Sequence, residues 1–248
     1  FKQLFKKEGI KGIFRKYDNK PQNFDLEVIE MNKTLFRIFS VSNPKKYKTR
    51  DENRPEFDEK KVISIRLAKI LINLSQARKE LLDPFCGCGT ILQEGLLNGL
   101  NVLGIDKSIY EAQHNIQWVK KEFSLKNKFK IMKGDAKKLS TYFNKVETIV
   151  TEPYLGPYWK KTPSQKDAYR VMKKLRKMYF QFLLESCKIV EGKVVIIVPI
   201  IKAFGKNIEM DFETLMDDAG FRPSFFEEVQ NPVIYDLKDS RNYRVDFT

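Results

Sequence analysis

Asp83-Pro84-Phe85-Cys86-Gly87-Cys88-Gly89-Thr90 stands between two apolar runs, ELLDPF before it and ILQEGLLNG after it. A short apolar run, a glycine turn and a run with helical spacing read as strand, turn and helix, the opening of a βαβ unit. Gly87 and Gly89 remove side chains where a ligand must approach the backbone and where the next helix must begin at once. The pair Asn98-Gly99 then stops that helix. The same texture repeats downstream as strand 101–106 (NVLGID), a helix over about 109–123, strand 128–135 (KFKIMKGD), a short helix and strand 146–153 (VETIVTEP). A long helix is expected over about 169–189, then strand 193–199 (KVVIIVP) and a helix near 210–219. Two last strands, around 225–229 and 243–247, are expected to close the sheet as an antiparallel hairpin with a long loop. The fold class that follows is α/β, with a mostly parallel seven-stranded sheet and an antiparallel end strand.

In an open α/β sheet, ligands sit beyond the carboxyl ends of the strands, so function is read from the residues just after each strand. Four such ends form a set. Asp83 to Thr90 is the first. The second is Asp106 with Lys107 after it, where a carboxylate can accept from both ribose hydroxyls or cap the next helix. Asp135-Ala136 is the third, an acceptor for an adenine amino group beside a small residue that lets the ring lie close. The fourth, Thr151-Glu152-Pro153-Tyr154-Leu155-Gly156-Pro157, combines a carboxylate, a rigid turn and an aromatic ring.

Taken together, these segments resemble a class I methyltransferase of the amino-methylating branch. DPFCGCGT resembles the cofactor loop DPFCGxGT of the tRNA guanine-amino methyltransferases that pair a THUMP domain with a Rossmann-like catalytic domain, the guanosine-10 enzymes and their relatives. The preceding RPEFDEKKVISIRLAKILINLS, with Val62, Ile63, Leu67, Ile70 and Leu71 on one helical face, is similar to the helix those enzymes carry before the first strand. The resemblance covers about 54–248. It implies S-adenosyl-L-methionine as cofactor, held by Asp83, Pro84, Phe85, Cys86, Gly87, Gly89, Thr90, Asp106, Lys107, Asp135, Ala136 and Glu152. It also implies tRNA as the partner, a guanine exocyclic amine as the target, and a cytoplasmic protein. Glu152, Pro153 and Tyr154 take the catalytic positions by the same match. The family usually carries Asp-Pro-Pro-Tyr there, so Glu152-Pro153-Tyr154-Leu155 lengthens the acid by a methylene and puts tyrosine in place of the second proline. In the family's chemistry the acid and a backbone carbonyl accept from the target amine, and an aromatic ring stacks on a base turned out of its helix. Tyr154 is the first choice for that ring, with Tyr158 and Trp159 as alternatives that could equally pack in a loop lid.

Residues 1–50 read as a small β-containing module, with alternating stretches FDLEVIEM and TLFRIFSV and a turn at Pro44 to Lys46. Residues 51–248 read as the catalytic domain, and the charged stretch 47–58 as a connector. The first part resembles the closing portion of a THUMP-type module without its leading half, so a protein partner supplying further RNA-docking surface is expected.

The 248 residues are 42% hydrophobic and 12% aromatic, which suits a packed core, and no apolar run reaches the roughly 20 residues of a membrane span. A net charge of +14 attracts polyanions, because each Lys or Arg at a phosphate releases a condensed counterion. Clusters at Lys45, Lys46, Lys48 and Arg50, at Lys160 and Lys161, and at Lys173, Lys174, Arg176 and Lys177 are natural phosphate contacts or solvated surface. The three cysteines, Cys86, Cys88 and Cys187, form no disulfide framework, and with the lone His114 they do not make a zinc site. Rival readings are a DNA adenine or cytosine amino methyltransferase, which shares the strand-four chemistry, and a non-catalytic RNA-binding relative. A nicotinamide-dependent enzyme fits Asp106 but not the loop, since GxGxxG is not completed after Gly89.

Overall fold

Strands covered on both faces bury every side chain, and two short runs here do so. The run 80–83 is buried at Leu81, Leu82 and Asp83, and the run 148–151 at all of its positions. They sit side by side at the centre of a five-stranded parallel sheet in the computed structural model of the chain. The structure describes residues 6–7, 9, 28–31, 34–37, 44–56, 62–222, 234–239 and 242–246. In chain order the sheet strands are β3 (Glu80–Asp83), β4 (Asn101–Asp106), β5 (Phe129–Lys133), β6 (Thr148–Thr151) and β7 (Val194–Ile196). Their order across the sheet is β5-β4-β3-β6-β7. The chain winds outward from β3 in one direction, then returns to wind in the other. The crevice between β3 and β6 is therefore the topological switch point, where such sheets bind ligands.

Helices pack on both faces. α2 (Ile65–Ser75), α3 (Thr90–Leu97) and α4 (Tyr110–Glu122) share one core with Leu81, Val102, Ile131 and Val150. α5 (Gln165–Ile189) and α6 (Phe212–Asp218) share the other with Leu82, Ile105 and Ile149. Neighbouring residues such as Leu81 and Leu82 thus serve opposite cores, as the strand period of two requires. α2 starts at Ser64, whose hydroxyl accepts from the Leu67 N–H at 3.2 Å. Between β5 and β6 runs a short 3-10 helix, Ala136–Thr141.

Contacts divide the chain into two units, 1–46 and 47–248. In the first, β1 (Val28–Met31) and β2 (Thr34–Arg37) form an antiparallel hairpin. α1 (Pro44–Asn53) runs into the second, so most of the expected turn and connector is helical. Within the second unit β8 (Ile201–Ala203) and β9 (Lys206–Ile208) form a small hairpin with no counterpart in the sequence reading.

Among the described residues the parallel sheet has five strands, short of the seven expected. The last two strands, β10 (Ile234–Asp239) and β11 (Asn242–Asp246), pair antiparallel with each other, Ile234 opposite Asp246 and Asp239 opposite Asn242. The expected strand at 225–229 lies outside the described residues. No helix among the described residues is long and apolar enough to cross a membrane.

Candidate methyl-donor and target-base site

The loop after β3 is fixed by its own backbone. Cys86 N–H donates to the Ile105 carbonyl at 3.0 Å, and Gly89 N–H to the Cys86 carbonyl at 2.7 Å. Gly89 has φ +86°, and a Cβ there would stand 3.3 Å from Ala112 Cα, so only glycine lets the loop turn against α4. Gly87 has φ +48°, and the place of its missing Cβ opens onto empty space with no atom within 4 Å. That is a cradle in which a ligand can lie on bare backbone. Asp106 serves the same loop, one carboxylate oxygen accepting from Gly87 N–H at 2.8 Å and the other from Ser108 N–H at 3.3 Å. A carboxylate offers about four lone-pair positions, so Asp106 can still accept from ligand hydroxyls.

Asp83 is buried below the loop and accepts from the Thr151 hydroxyl at 2.6 Å and from Phe85 N–H at 3.1 Å. Its bond to Thr151 ties the ends of β3 and β6 together across the switch point. Burial pushes the Asp83 carboxyl up to about 7, against the pull of those two donors and helped by the nearby charges of Asp106 and Glu152. Phe85 packs edge-on to Phe182, with ring centroids 5.3 Å apart. Burial also raises both Cys86 and Cys88, so neither is a ready thiolate. Pro84 follows Asp83 in the turn, and Thr90 opens α3 with its hydroxyl accepting from Arg54 at 2.9 Å.

Asp135 caps the 3-10 helix, accepting from Lys137 N–H at 3.0 Å, with Ala136 buried beside it. Slight burial tends to raise its carboxyl, but that bond and the charges of Lys137 and Lys107 outweigh it and hold the group below its ordinary value. Lys107 is exposed. Its charge helps hold Asp135 below its ordinary value.

Glu152, directly after β6, is half-buried, and its carboxylate has no hydrogen-bond partner among the described residues. Burial pushes it up to about 7. A half-buried carboxylate that is partly desolvated and has no donor of its own favours a ligand that brings an N–H. Pro153 is buried behind it, and Tyr154 projects with 56% of its surface exposed. Gly156 lies against Val171 and Leu175 of α5, which seats the loop. Tyr158 is almost fully exposed and Trp159 half-buried.

Three buried polar residues were missed in the sequence. Thr151 is one. Asn115 donates to the carbonyls of Cys88 and Glu56, both at 2.9 Å, and accepts from Glu56 N–H at 3.0 Å, so it clamps the glycine loop to the segment before α2. Its position three after Ala112 and one before Ile116, on the buried face of α4, was a usable signal. Arg54 is the third, its guanidinium beside Asp51 at 2.8 Å as well as Thr90. Arg50, expected to meet phosphate, is corrected: its side chain is largely buried in an ion pair with Glu94. His114 bonds to Glu56 at 3.1 Å and packs against Tyr110, with ring centroids 4.0 Å apart and the rings tilted by 55°. No group of three or more His, Cys, Asp or Glu able to hold a metal ion occurs among the described residues.

A doubly wound sheet whose switch point joins a bare glycine cradle to an unpartnered strand-four acid is the arrangement of a Rossmann-like methyltransferase domain. The chain belongs to the UPF0020 family, RMKL-like, methyltransferase domain, whose model matches residues 53–218. Among curated relatives it is 31% identical over 161 residues to a tRNA (guanine(10)-N2)-dimethyltransferase of Pyrococcus abyssi, covering 62% of this chain and 44% of that one. It is 33% identical over 125 residues to the enzyme of the same name from Methanothermobacter thermautotrophicus, covering 48% and 35%. The chain thus spans less than half the length of these two relatives. A solved structure, TrmN from Thermus thermophilus, is similar with a TM-score of 0.45 and 18% identity, covering 79% of this chain and 54% of that one.

Proposed function

We propose that the protein transfers a methyl group from S-adenosyl-L-methionine to the exocyclic amine of a guanine in tRNA. The unpartnered Glu152 carboxylate carries this reading, because a target amine is the donor it lacks. The cofactor supplies an already activated methyl group. The cradle fits it. Gly87 and Gly89 leave backbone bare, Asp106 offers acceptors for ribose hydroxyls, and Phe85, Cys86, Pro84 and Thr90 shape the loop over the Asp83–Thr151 bond. Asp135 and Ala136 are assigned to the adenine side, with Lys107 at its rim.

A guanine amine is a weak nucleophile, since its lone pair is delocalised into the ring. Glu152 and the backbone carbonyl at Glu152-Pro153 would accept its two N–H groups and turn the lone pair toward the donor. The carboxylate then stabilises the positive charge that grows on nitrogen. Tyr154 stacks on the base, which has left its helix. With its ordinary value raised toward 7, Glu152 can also hold the proton that the alkylated nitrogen sheds.

The relatives named above are guanine-10 N2 enzymes, which supports tRNA over DNA as substrate. A cytoplasmic address and a partner subunit that adds RNA-docking surface belong to the same proposal. Incubation with labelled donor and unmodified tRNA, followed by mass spectrometry of the nucleosides, is expected to show N2-methylguanosine. Label in duplex DNA alone would replace the reading by the DNA enzyme. Donor and tRNA binding with no transfer would replace it by a non-catalytic relative.

A further inference from the structure

The loop that carries Glu152 continues to Tyr158, six positions on, whose ring is 87% exposed. Beside the far end of that loop stands the β8–β9 hairpin. Its buried residues Ile201, Ala203 and Ile208 face the core, while Lys202, Phe204 and Lys206 face outward. Phe204 at the tip is 66% exposed, yet its backbone is pinned. Its N–H donates to the Pro163 carbonyl at 3.4 Å, and its own carbonyl accepts from the Gln165 side chain at 2.9 Å. Lys206 donates to the Tyr169 hydroxyl at 3.0 Å, which ties the second strand to the first turns of α5. The hairpin is thus fixed to the strand-four loop and holds an apolar ring in water, a placement that costs solvation and orders nothing inside the protein.

Charge tells what covers it. Residues 157–170 and 201–208 together carry six Lys or Arg (160, 161, 166, 170, 202 and 206) against one acid, Asp167. Exposed aromatic rings set among cations suit single-stranded nucleic acid, because every base has a face to stack and every nucleotide a phosphate to neutralise.

We propose that the loop 157–161 and the β8–β9 hairpin form a docking platform for the single-stranded RNA flanking the target base, with Tyr158 and Phe204 each stacking on a base and Lys160 and Lys161 meeting phosphates. This rests on the reading of the neighbouring site as one that acts on a base in RNA. A base that enters beside Glu152 brings its neighbours out over this loop, and the platform receives them already unpaired. The division of labour is physical: stacking sets affinity with little dependence on salt, and the lysines set the salt dependence.

The test uses the full chain and a fluorescent single-stranded RNA of about 12 nucleotides, within the span such surfaces cover. Fluorescence anisotropy is read across a salt series. Tyr158→Ala and Phe204→Ala are each expected to weaken binding about tenfold with the salt slope unchanged, and Phe204→Tyr to restore it. Lys160→Ala with Lys161→Ala is expected to reduce the slope of log affinity against log salt by about 1.4. Calorimetry with S-adenosyl-L-methionine, whose cradle lies elsewhere, should give the parent's affinity for every variant and so certifies folding. The platform is overturned if both alanine variants bind within twofold of the parent while still binding the donor. It is equally overturned if the parent ignores the single strand, or binds a perfect duplex of that length as tightly and with the same sensitivity to Phe204→Ala. Methyl transfer to intact tRNA stands or falls separately, so loss of the platform leaves the donor and target site untouched.

Discussion

In the proposed reaction Glu152 concentrates the chemistry in a single half-buried side chain with no hydrogen-bond partner among the described residues. Replacing it with glutamine keeps size and one acceptor but removes the charge that meets the developing cation. Single-turnover transfer to tRNA is expected to fall about 10²- to 10³-fold, with donor affinity by calorimetry changed by less than a few fold. The same burial makes a stability prediction of opposite sign. The folded carboxyl sits near 7 and the unfolded one near 4.5, so between those values the folded state keeps a proton that the unfolded state releases. The contribution of Glu152 to stability is therefore lost as pH rises from about 4.5 to about 7, and Glu152→Gln keeps only the similar loss that Asp83 brings. Thermal melts should match at pH 4 and favour the variant at pH 8, and a variant that melts lower at pH 8 would show that the carboxylate has a partner after all. For the parent, kcat/KM should rise through pH 7 as Glu152 ionises, with Asp83 contributing to the same limb. Of these features the sequence exposed the acid and its place after a strand. It did not expose the missing partner, because a hydrogen bond that is not made depends on what the other loops leave open. Asp83 likewise read as a strand-end acid of the cofactor loop, and its bond to Thr151 needed two strands far apart in the chain to lie side by side.

At the scale of elements, the helix α3 that follows the glycine loop is buried nearly all round, and it carries a glutamate into that setting. Glu94 is 3% exposed at its side chain and meets Arg50 of α1. Burial raises the Glu94 carboxyl, with Arg50 pulling the other way. Such a pair gives little net stability over an apolar replacement, but breaking it leaves a charge with no counterpart. Glu94→Ala is expected to cost about 3–5 kcal/mol in urea unfolding, and Arg50→Met combined with Glu94→Met to recover most of that loss. Equal losses in the single and double variants would mean that packing, not the stranded charge, sets the cost. Periodicity identified α4, α5 and α6 to within a few residues, since each has one apolar face; for α2 it ran too far toward the N-terminus, because Val62 and Ile63 lie before the Ser64 cap and outside the helix. It placed α1 in a connector because PKKYKTRDEN has no such face, and only its contacts hold it helical. The β8–β9 hairpin was missed for a related reason: three-residue strands are too short for an alternation to be read.

On the whole molecule, two fields of different range act on a nucleic acid. The net charge of +14 acts over nanometres at low salt and draws in any polyanion, while the proposed site at the switch point would act only on a base already beside Glu152. The order β5-β4-β3-β6-β7 separates these functions, since it gathers the donor loop and the strand-four acid at one edge and leaves the outer helices for charge. The strand-end motifs read in sequence implied a parallel sheet, but not this order. Nor did they imply the count of strands, because the chain beyond 222 has weak patterning and pairs in β10 and β11 with itself. Lys173, Lys174, Arg176 and Lys177 are exposed along α5, and Lys160 and Lys161 on the loop before it, so about six phosphate contacts are within the molecule's reach. Counterion release at that many sites should lower the affinity for unmodified tRNA about 10³-fold between 50 and 200 mM salt. Duplex DNA should follow a similarly steep line, because the long-range field does not distinguish the two backbones. If the proposed site makes the choice at Glu152 and Tyr154, methyl transfer should distinguish them at every salt at which both are bound. Filter binding and transfer assays on the same samples check this. A flat salt response would remove the basic surface from substrate capture, and transfer that tracked binding on both nucleic acids would move specificity from the pocket to the charge.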